Sequence, residues 1–325
     1  MQNVRERGSP VRSEFTQTVL MSGASGMLGR AIASALRAKD LGILTLTRHA
    51  STCEDEIEWK PEAGRMPDRE ALEDLAGIRG IDAAIHLSGA NIAGRRWSHA
   101  YKRELAESRV TSTRVLAETL AGLKRKPSVL ICASAIGYYG NRGDEVLDEE
   151  AEPGRGFFPE LCVAWERAAQ AAEDAGIRVV HPRFGIVLSR NGGALQQMLP
   201  LFHAGLGGRL GSGRQWMSWV SEADVVGATL FVLNLQGRGV DLAGPVNVVA
   251  PQAVTNAQFT RELARTLRRP AFLPAPAFAL RLAFGEMAGE ALLASTHVVP
   301  GKLITAGYLF RHPRLADGLH EALPA

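Results

Sequence analysis

The run "TVLMSGASGMLGRAIASALRAKD", residues 18–40, constrains this chain more than any other stretch. A short apolar segment leads into Gly23, Gly26 and Gly29, and apolar residues at helical spacing follow. A strand that turns on glycines into a helix leaves backbone N–H groups exposed at the helix N-terminus, where they suit a pyrophosphate. The spacing is G-x-x-G-x-x-G, and a glycine triplet alone also serves as a plain turn and cap. Its place at the opening of a strand–helix–strand pattern selects dinucleotide binding. Ser25, Met27 and Leu28 share the loop and are assigned to the cofactor with the glycines.

The same alternation continues along the chain. "GILTLT", "DAAIHLSG", "SVLICASA" and "IRVVHPRFGIVLS" read as strands. "DREALEDLAG", residues 99–123 and "FFPELCVAWERAAQAAEDAG" (157–176) read as helices, and the stretch between "GILTLT" and "DREALEDLAG" as irregular. Unbroken Val/Ile/Leu strands between helices predict an α/β fold, a doubly wound parallel sheet covered on both faces. Beyond Ser189 the chain turns Gly-rich and irregular up to "GRQW", then "SEADVVGATLFVLN" is helical and "GPVNVVAP" is a further buried strand. "TNAQFTRELARTLRRP" is a helix with Thr255 or Asn256 as its N-cap. The expected organisation is a disordered leader over 1–17 and a dinucleotide-binding domain over 18–190, to which 222–268 returns. Residues 191–221 and 269–325 then form a smaller α/β lobe.

Composition excludes several classes. A formal charge of +3 with scattered Lys and Arg gives no footprint for nucleic acid. No apolar run reaches the ~18 residues needed to span a bilayer, and the first residues lack the apolar core of a secretory signal. Cys53, Cys132 and Cys162 are odd in number and widely spaced, so neither a disulfide framework nor a zinc site is expected, and a reducing cytoplasm is the default. The expected partner is a small molecule, with no metal, nucleic acid or membrane.

The end of the second strand decides between NAD and NADP. An acidic residue there accepts from the adenosine ribose, whereas an arginine accommodates a 2′-phosphate. "ILTLTRHA" offers Thr47 and Arg48 with no acid before Glu54, which favours NADP(H).

The glycine loop, "HLSGANIAGRRW", "SRVTSTRVLAE", "ASAIGYYG", "LCVAWE", "RFGIVLSRNGGAL" and "GLGGRLGSGRQWMSWV" together resemble the extended short-chain dehydrogenase/reductase superfamily. Within it the chain resembles the atypical subgroup labelled epimerase family protein, or nucleoside-diphosphate-sugar epimerase, over about residues 18–323. The resemblance implies a Rossmann sheet and a C-terminal lobe over "FLPAPAFALRLAFGEMAGEALLASTHVVPGKLITAGYLF". It also implies cofactor contacts from Leu87, Ser88 and Gly89 at a strand end, from Glu104 and Arg109 on the next helix, and from Leu188 near the nicotinamide. Dimerisation through the helices 99–123 and 157–175 is implied in the same way.

Active members of the superfamily carry Tyr and Lys at i and i+4 on one helix face, where the Lys lowers the Tyr pKa. Here Cys162 and Glu166 hold that spacing, and a carboxylate beside a thiol disfavours the thiolate. Cys162 is then either a site residue or a small buried apolar one, while Glu166 could accept from ribose hydroxyls. Registering Tyr139-Gly140 on the superfamily's Tyr-Gly puts Ala135 at the catalytic hydroxyl position, with Ser134 one residue earlier. Tyr138 and Tyr139 are alternative proton donors or packing residues. Arg214, Gln215, Trp216 and Trp219 form a candidate substrate wall, or pack between the lobes. Ser221 stands where the subgroup is expected to have a histidine. Two readings follow: an NADP(H)-dependent epimerase or oxidoreductase, or a non-catalytic NADP(H)-binding sensor.

Overall fold

The computed structural model describes residues 17–50, 53–63, 69–76, 80–233 and 242–323. The leader expected over 1–17 lies outside the described residues except for Gln17. In chain order the strands are β1 (Thr18–Ser22), β2 (Gly42–Thr47), β3 (Glu56–Glu58), β4 (Ala83–His86), β5 (Val129–Cys132), β6 (Ser134–Ala135) and β7 (Val146–Leu147). There follow β8 (Arg178–Phe184), β9 (Ile186–Leu188), β10 (Trp216–Met217), β11 (Trp219–Ser221), β12 (Gly244–Val248), β13 (Val254–Thr255) and β14 (His297–Val298). The main sheet runs β3-β2-β1-β4-β5-β8-β12, with β6 continuing the line of β5 against β8. Every pairing in it is parallel.

The helices are α1 (Met27–Arg37), α2 (Arg69–Ala76), α3 (His99–Ala106), α4 (Ser112–Ala121), α5 (Phe157–Arg167) and α6 (Gln170–Asp174). The later ones are α7 (Gly193–His203), α8 (Glu222–Leu233), α9 (Asn256–Leu267), α10 (Ala277–Phe284), α11 (Gly301–Thr305) and α12 (Leu315–Ala322). Ile32 and Leu36 of α1 and Val225 and Val232 of α8 cover one face of the sheet. Val115, Leu116 and Leu120 of α4 and Ala172 of α6 cover the other. With both faces covered, the strands are apolar throughout, as β4 and β5 are. The sheet is doubly wound, and the chain reverses direction across it between β1 and β4. The carboxyl ends of those two strands form the crevice in which such sheets bind ligands.

Four local readings change. The Gly-rich stretch after Ser189 contains α7, anchored by buried Leu195 and Phe202; flanking glycines and an internal Pro200 hid its periodicity. A short β3 pairs with β2 in the stretch read as irregular. The long helix over 99–123 contains a π turn at Glu107–Thr111, which carries Arg109 inward. The helix over 157–176 breaks after Arg167 into α5 and α6. At the N-terminus of α9, Thr255 forms a full capping box with Gln258.

Candidate active site and cofactor cleft

The glycine loop is built to keep side chains out. Gly23 sits at φ +74°, and a Cβ there would lie 2.8 Å from the Leu87 carbonyl carbon, so β1 and β4 end in backbone contact. A Cβ on Gly29 would lie 2.1 Å from the Gly23 oxygen, which presses α1 against the turn. Gly26 is the N-cap of α1 and offers no side-chain acceptor, so no cap side chain takes up the first-turn N–H groups. Ser25 is exposed and its carbonyl accepts from Arg30. Below the loop, the buried His86 ring joins the strand ends, with Nδ1 2.5 Å from Ser22 Oγ and Nε2 3.1 Å from Ser112 Oγ. Burial pushes its pKa down to about 3, so the ring is neutral.

The other predicted cofactor residues separate into rim and support. Thr47 ends β2, its hydroxyl donating to the His49 carbonyl at 2.7 Å, and Arg48 beside it is exposed. Leu87 and Ser88 follow β4 half-buried beside the glycine loop, and Gly89 is exposed. Arg109 lies against this segment. It donates to the Ala90 carbonyl at 2.9 Å and to the Leu105 carbonyl at 3.3 Å, and its Cζ is 5.0 Å from the Trp165 ring centroid. A Cβ on Gly89 would lie 3.1 Å from that guanidinium carbon, so Arg109 braces the loop from below. Its Nε is buried without a partner, and burial lowers its pKa. Glu104 points away into an exposed pair with Arg95 at 3.7 Å. Leu188 packs in the apolar cluster of Trp219 and Leu195.

Helix α5 carries the altered pair. Cys162 is fully buried, and burial first, then the Glu166 charge, pushes its thiol up to about 12. A thiol held there stays protonated, so Cys162 is a core residue with no acid–base role, which corrects its candidacy as a catalytic group. Glu166 is taken up by Arg183 of β8, whose Nε and Nη2 donate to its two carboxylate oxygens at 2.8 Å each. Ser134 Oγ also donates to Glu166 at 2.6 Å. Arg183 Nη1 donates to the Tyr139 hydroxyl at 2.9 Å, and that hydroxyl donates to Asn247 Oδ1 at 2.7 Å. Burial raises the Tyr139 pKa to about 12 despite the cation, so this phenol is a packing residue. Burial alone would lower the pKa of Arg183, but Glu166 and Tyr139 outweigh it and raise it. The guanidinium carbon lies 3.4 Å from the Tyr138 ring centroid, and Tyr138 is half-buried.

Sequence reasoning missed Arg183, although an arginine inside the apolar run "VVHPRFGIV" is a legible signal. It also missed Glu290, which accepts from the Phe157 and Phe158 N–H groups at 3.2 and 2.7 Å and so caps α5 from the C-terminal lobe. The candidate substrate wall divides. Trp216 is half-buried, stacked on His297 with centroids 4.0 Å apart, and its indole N–H donates to Asp144 Oδ1 at 2.9 Å. Trp219 is fully buried with its N–H donating to the Gln252 carbonyl at 2.7 Å, so it belongs to the core and cannot wall a pocket. Arg214 is exposed, and Gln215 is buried, donating to the Leu210 carbonyl at 3.0 Å. Ser221 is not bare of histidine: His312 Nδ1 arrives at 3.1 Å from its hydroxyl.

The whole chain, with its glycine loop at the sheet reversal, is similar to known proteins. The model of the NAD dependent epimerase/dehydratase family matches residues 19–244. The chain belongs to that family. A second model, Domain of unknown function (DUF1731), matches residues 275–322. Epimerase family protein MT2273 of Mycobacterium tuberculosis is 45% identical over 304 residues, covering 94% of this chain and 97% of the relative. Epimerase family protein SDR39U1 of Bos taurus is 34% identical over 311 residues, covering 94% and 99%. The crystal structure of human epimerase family protein SDR39U1 (isoform 2) with NADPH is similar with a TM-score of 0.83 and 30% identity, covering 94% of this chain and 99% of that one. On α5 of this chain, Cys162 is buried and Glu166 is paired with Arg183.

Proposed function

We propose that this epimerase-family chain binds NADP(H) and acts as an oxidoreductase or epimerase on a small carbonyl or nucleotide-sugar compound. The observation that carries the reading is the cradle: Gly23 and Gly29 have no room for a Cβ, and α1 opens with bare N–H groups beside them. Such a site takes a pyrophosphate. Gly23, Ser25, Gly26, Met27, Leu28 and Gly29 hold the diphosphate, and Leu87, Ser88 and Gly89 pass the adenosine side. Thr47 and exposed Arg48 take the 2′-phosphate. NADPH in the human SDR39U1 structure supports the choice of cofactor. When bound, the nicotinamide supplies or accepts the hydride. The protein's own part is to orient the substrate and move a proton, and Tyr138 is the phenol placed for it. The Glu166–Arg183 pair flanks that phenol and positions it.

One observation favours a second reading, a non-catalytic NADP(H)-binding regulator. The two residues at the proton-relay spacing are both engaged elsewhere, Cys162 in the core and Glu166 with Arg183. Titrating NADPH and NADH into wild type and Arg48→Ala tests the cofactor. NADPH should bind more tightly than NADH. Arg48→Ala should weaken NADPH alone by roughly tenfold or more, the worth of one charged hydrogen bond. Equal losses for both cofactors would refute the assignment. NADPH consumption across a panel of carbonyl compounds, with Tyr138→Phe as control, separates the readings. Tight NADPH binding with no turnover on any compound selects the regulator.

A further inference from the structure

Among the described residues, five of the ten exposed large apolar side chains fall between Phe272 and Phe284. Two more, Leu201 and Leu206, lie in the segment beside it. The two segments run together. Leu273 N donates to the Gly207 carbonyl at 3.3 Å, Ala275 N to the Arg209 carbonyl at 2.9 Å, and Gly211 N to the Ala275 carbonyl at 2.8 Å. The chain then enters α10. At about 100° per residue, Phe278, Arg281 and Leu282 share one face of that helix, opposite Leu280. Leu280 is the buried one, and Phe278 and Leu282 stand 73% and 76% exposed, as does Phe272 at 76%. The outward face is therefore apolar by sequence, and the small lobe does not cover it.

Its charge has one sign. Between Leu263 and Gly285 the sequence contains Arg265, Arg268, Arg269 and Arg281 and no acid; between Arg190 and Ser221 it contains Arg209 and Arg214 and no acid. The flanking acids are engaged, Glu262 with Arg265 and Glu286 with Lys102. Arg268, Arg269 and Arg281 are exposed. Aromatic and aliphatic anchors among arginines are the composition that seats a protein at the headgroup boundary of an anionic bilayer. A second copy is a poorer occupant. In a two-fold interface the patch meets itself, setting arginines against arginines while the flanking Glu262 and Glu286 are already paired.

We propose that this edge docks on a membrane surface carrying anionic lipid. Phe272, Phe278 and Leu282 enter the headgroup–acyl boundary, and Arg268, Arg269 and Arg281 face the lipid charges. The association is peripheral, since no helix among the described residues is long and apolar enough to cross a membrane. It replaces the expectation from sequence that no membrane is involved. That expectation rested on span length and overall charge, neither of which reports a one-sided surface.

The test is sedimentation of the full chain with phosphatidylcholine vesicles and with vesicles in which about a third of the lipid is phosphatidylserine. The protein should partition onto the anionic vesicles and much more weakly onto the neutral ones. Phe278→Asp with Leu282→Asp should abolish partition at an unchanged melting temperature, because both residues are exposed. Arg268→Gln with Arg269→Gln should weaken it roughly twenty-fivefold, at about fivefold for each arginine, and this pair keeps the test valid if the aspartates perturb folding. No partition, equal partition onto both vesicles, or equal partition of wild type and the aspartate variant would overturn the proposal. So would a wild-type dimer in buffer that the aspartate variant dissociates, which would give the face to a second copy.

Discussion

Substituting Arg183 by methionine keeps most of the side chain's length and removes its charge and its donors. The side chain is 3% exposed and that of Glu166 is 12% exposed, so the two carboxylate contacts at 2.8 Å are made largely out of water. Without the arginine, Glu166 keeps the Ser134 hydroxyl and Tyr139 keeps Asn247, but the carboxylate charge has no counter-charge. Breaking a buried pair from one side costs about 3–5 kcal/mol, a large part of the ~5–15 kcal/mol that holds a typical domain. Adding Glu166→Gln removes the stranded charge, keeps an acceptor for Ser134, and should recover about 2 kcal/mol of that loss. Urea unfolding at pH 7, followed by tryptophan fluorescence and far-UV circular dichroism, reads both quantities, provided the two probes coincide. A loss below about 1 kcal/mol in Arg183→Met, or strictly additive effects in the double variant, would refute the claim that a coupled buried pair stands at the relay position.

The neutral His86 predicts a pH dependence. The unfolded chain takes up this proton near pH 6.5 and the folded chain only near 3, so stability is full above 6.5 and is lost as pH falls toward 3. His86 should contribute a slope of up to about 1.4 kcal/mol per pH unit in that window. Urea midpoints between pH 7 and 4 should therefore fall less steeply in His86→Gln than in wild type. Gly29→Ala, whose Cβ would meet backbone at 2.1 Å, should lower both NADPH affinity and melting temperature well beyond Gly26→Ala, whose Cβ would meet the Gly23 oxygen at 3.3 Å. Thermal shift with and without NADPH compares them, and similar losses would contradict the cradle geometry. Glu290→Ala should destabilise by about 1 kcal/mol or more through the lost cap on α5, and Glu290→Gln by less. Denaturant titration distinguishes these, and equal losses would remove the capping role.

What could be read from sequence was local. The glycine loop, the strand–helix alternation and the Thr255 cap each depend on residues within a few positions of one another, where backbone sterics and first-turn hydrogen bonds act. The absence of a Tyr-x-x-x-Lys pair was legible for the same reason, since i and i+4 share a helix face. The replacement for that pair was not. Glu166 meets Arg183 because α5 crosses the ends of the parallel strands β6 and β8, and Ser134 joins them from 32 residues away. Trp216 and Trp219 looked alike three residues apart, yet one is half-buried and stacked on His297 and the other is sealed in the core. His312 reaches Ser221 across 91 residues, and Glu290 reaches α5 across 133. By itself the sequence determined the doubly wound sheet and the glycine loop that opens it, because those follow from periodicity and short-range spacing. Tertiary structure alone decided which ionisable groups are buried, which are paired and which face the cleft, because desolvation and charge pairing are set by neighbours distant in the chain.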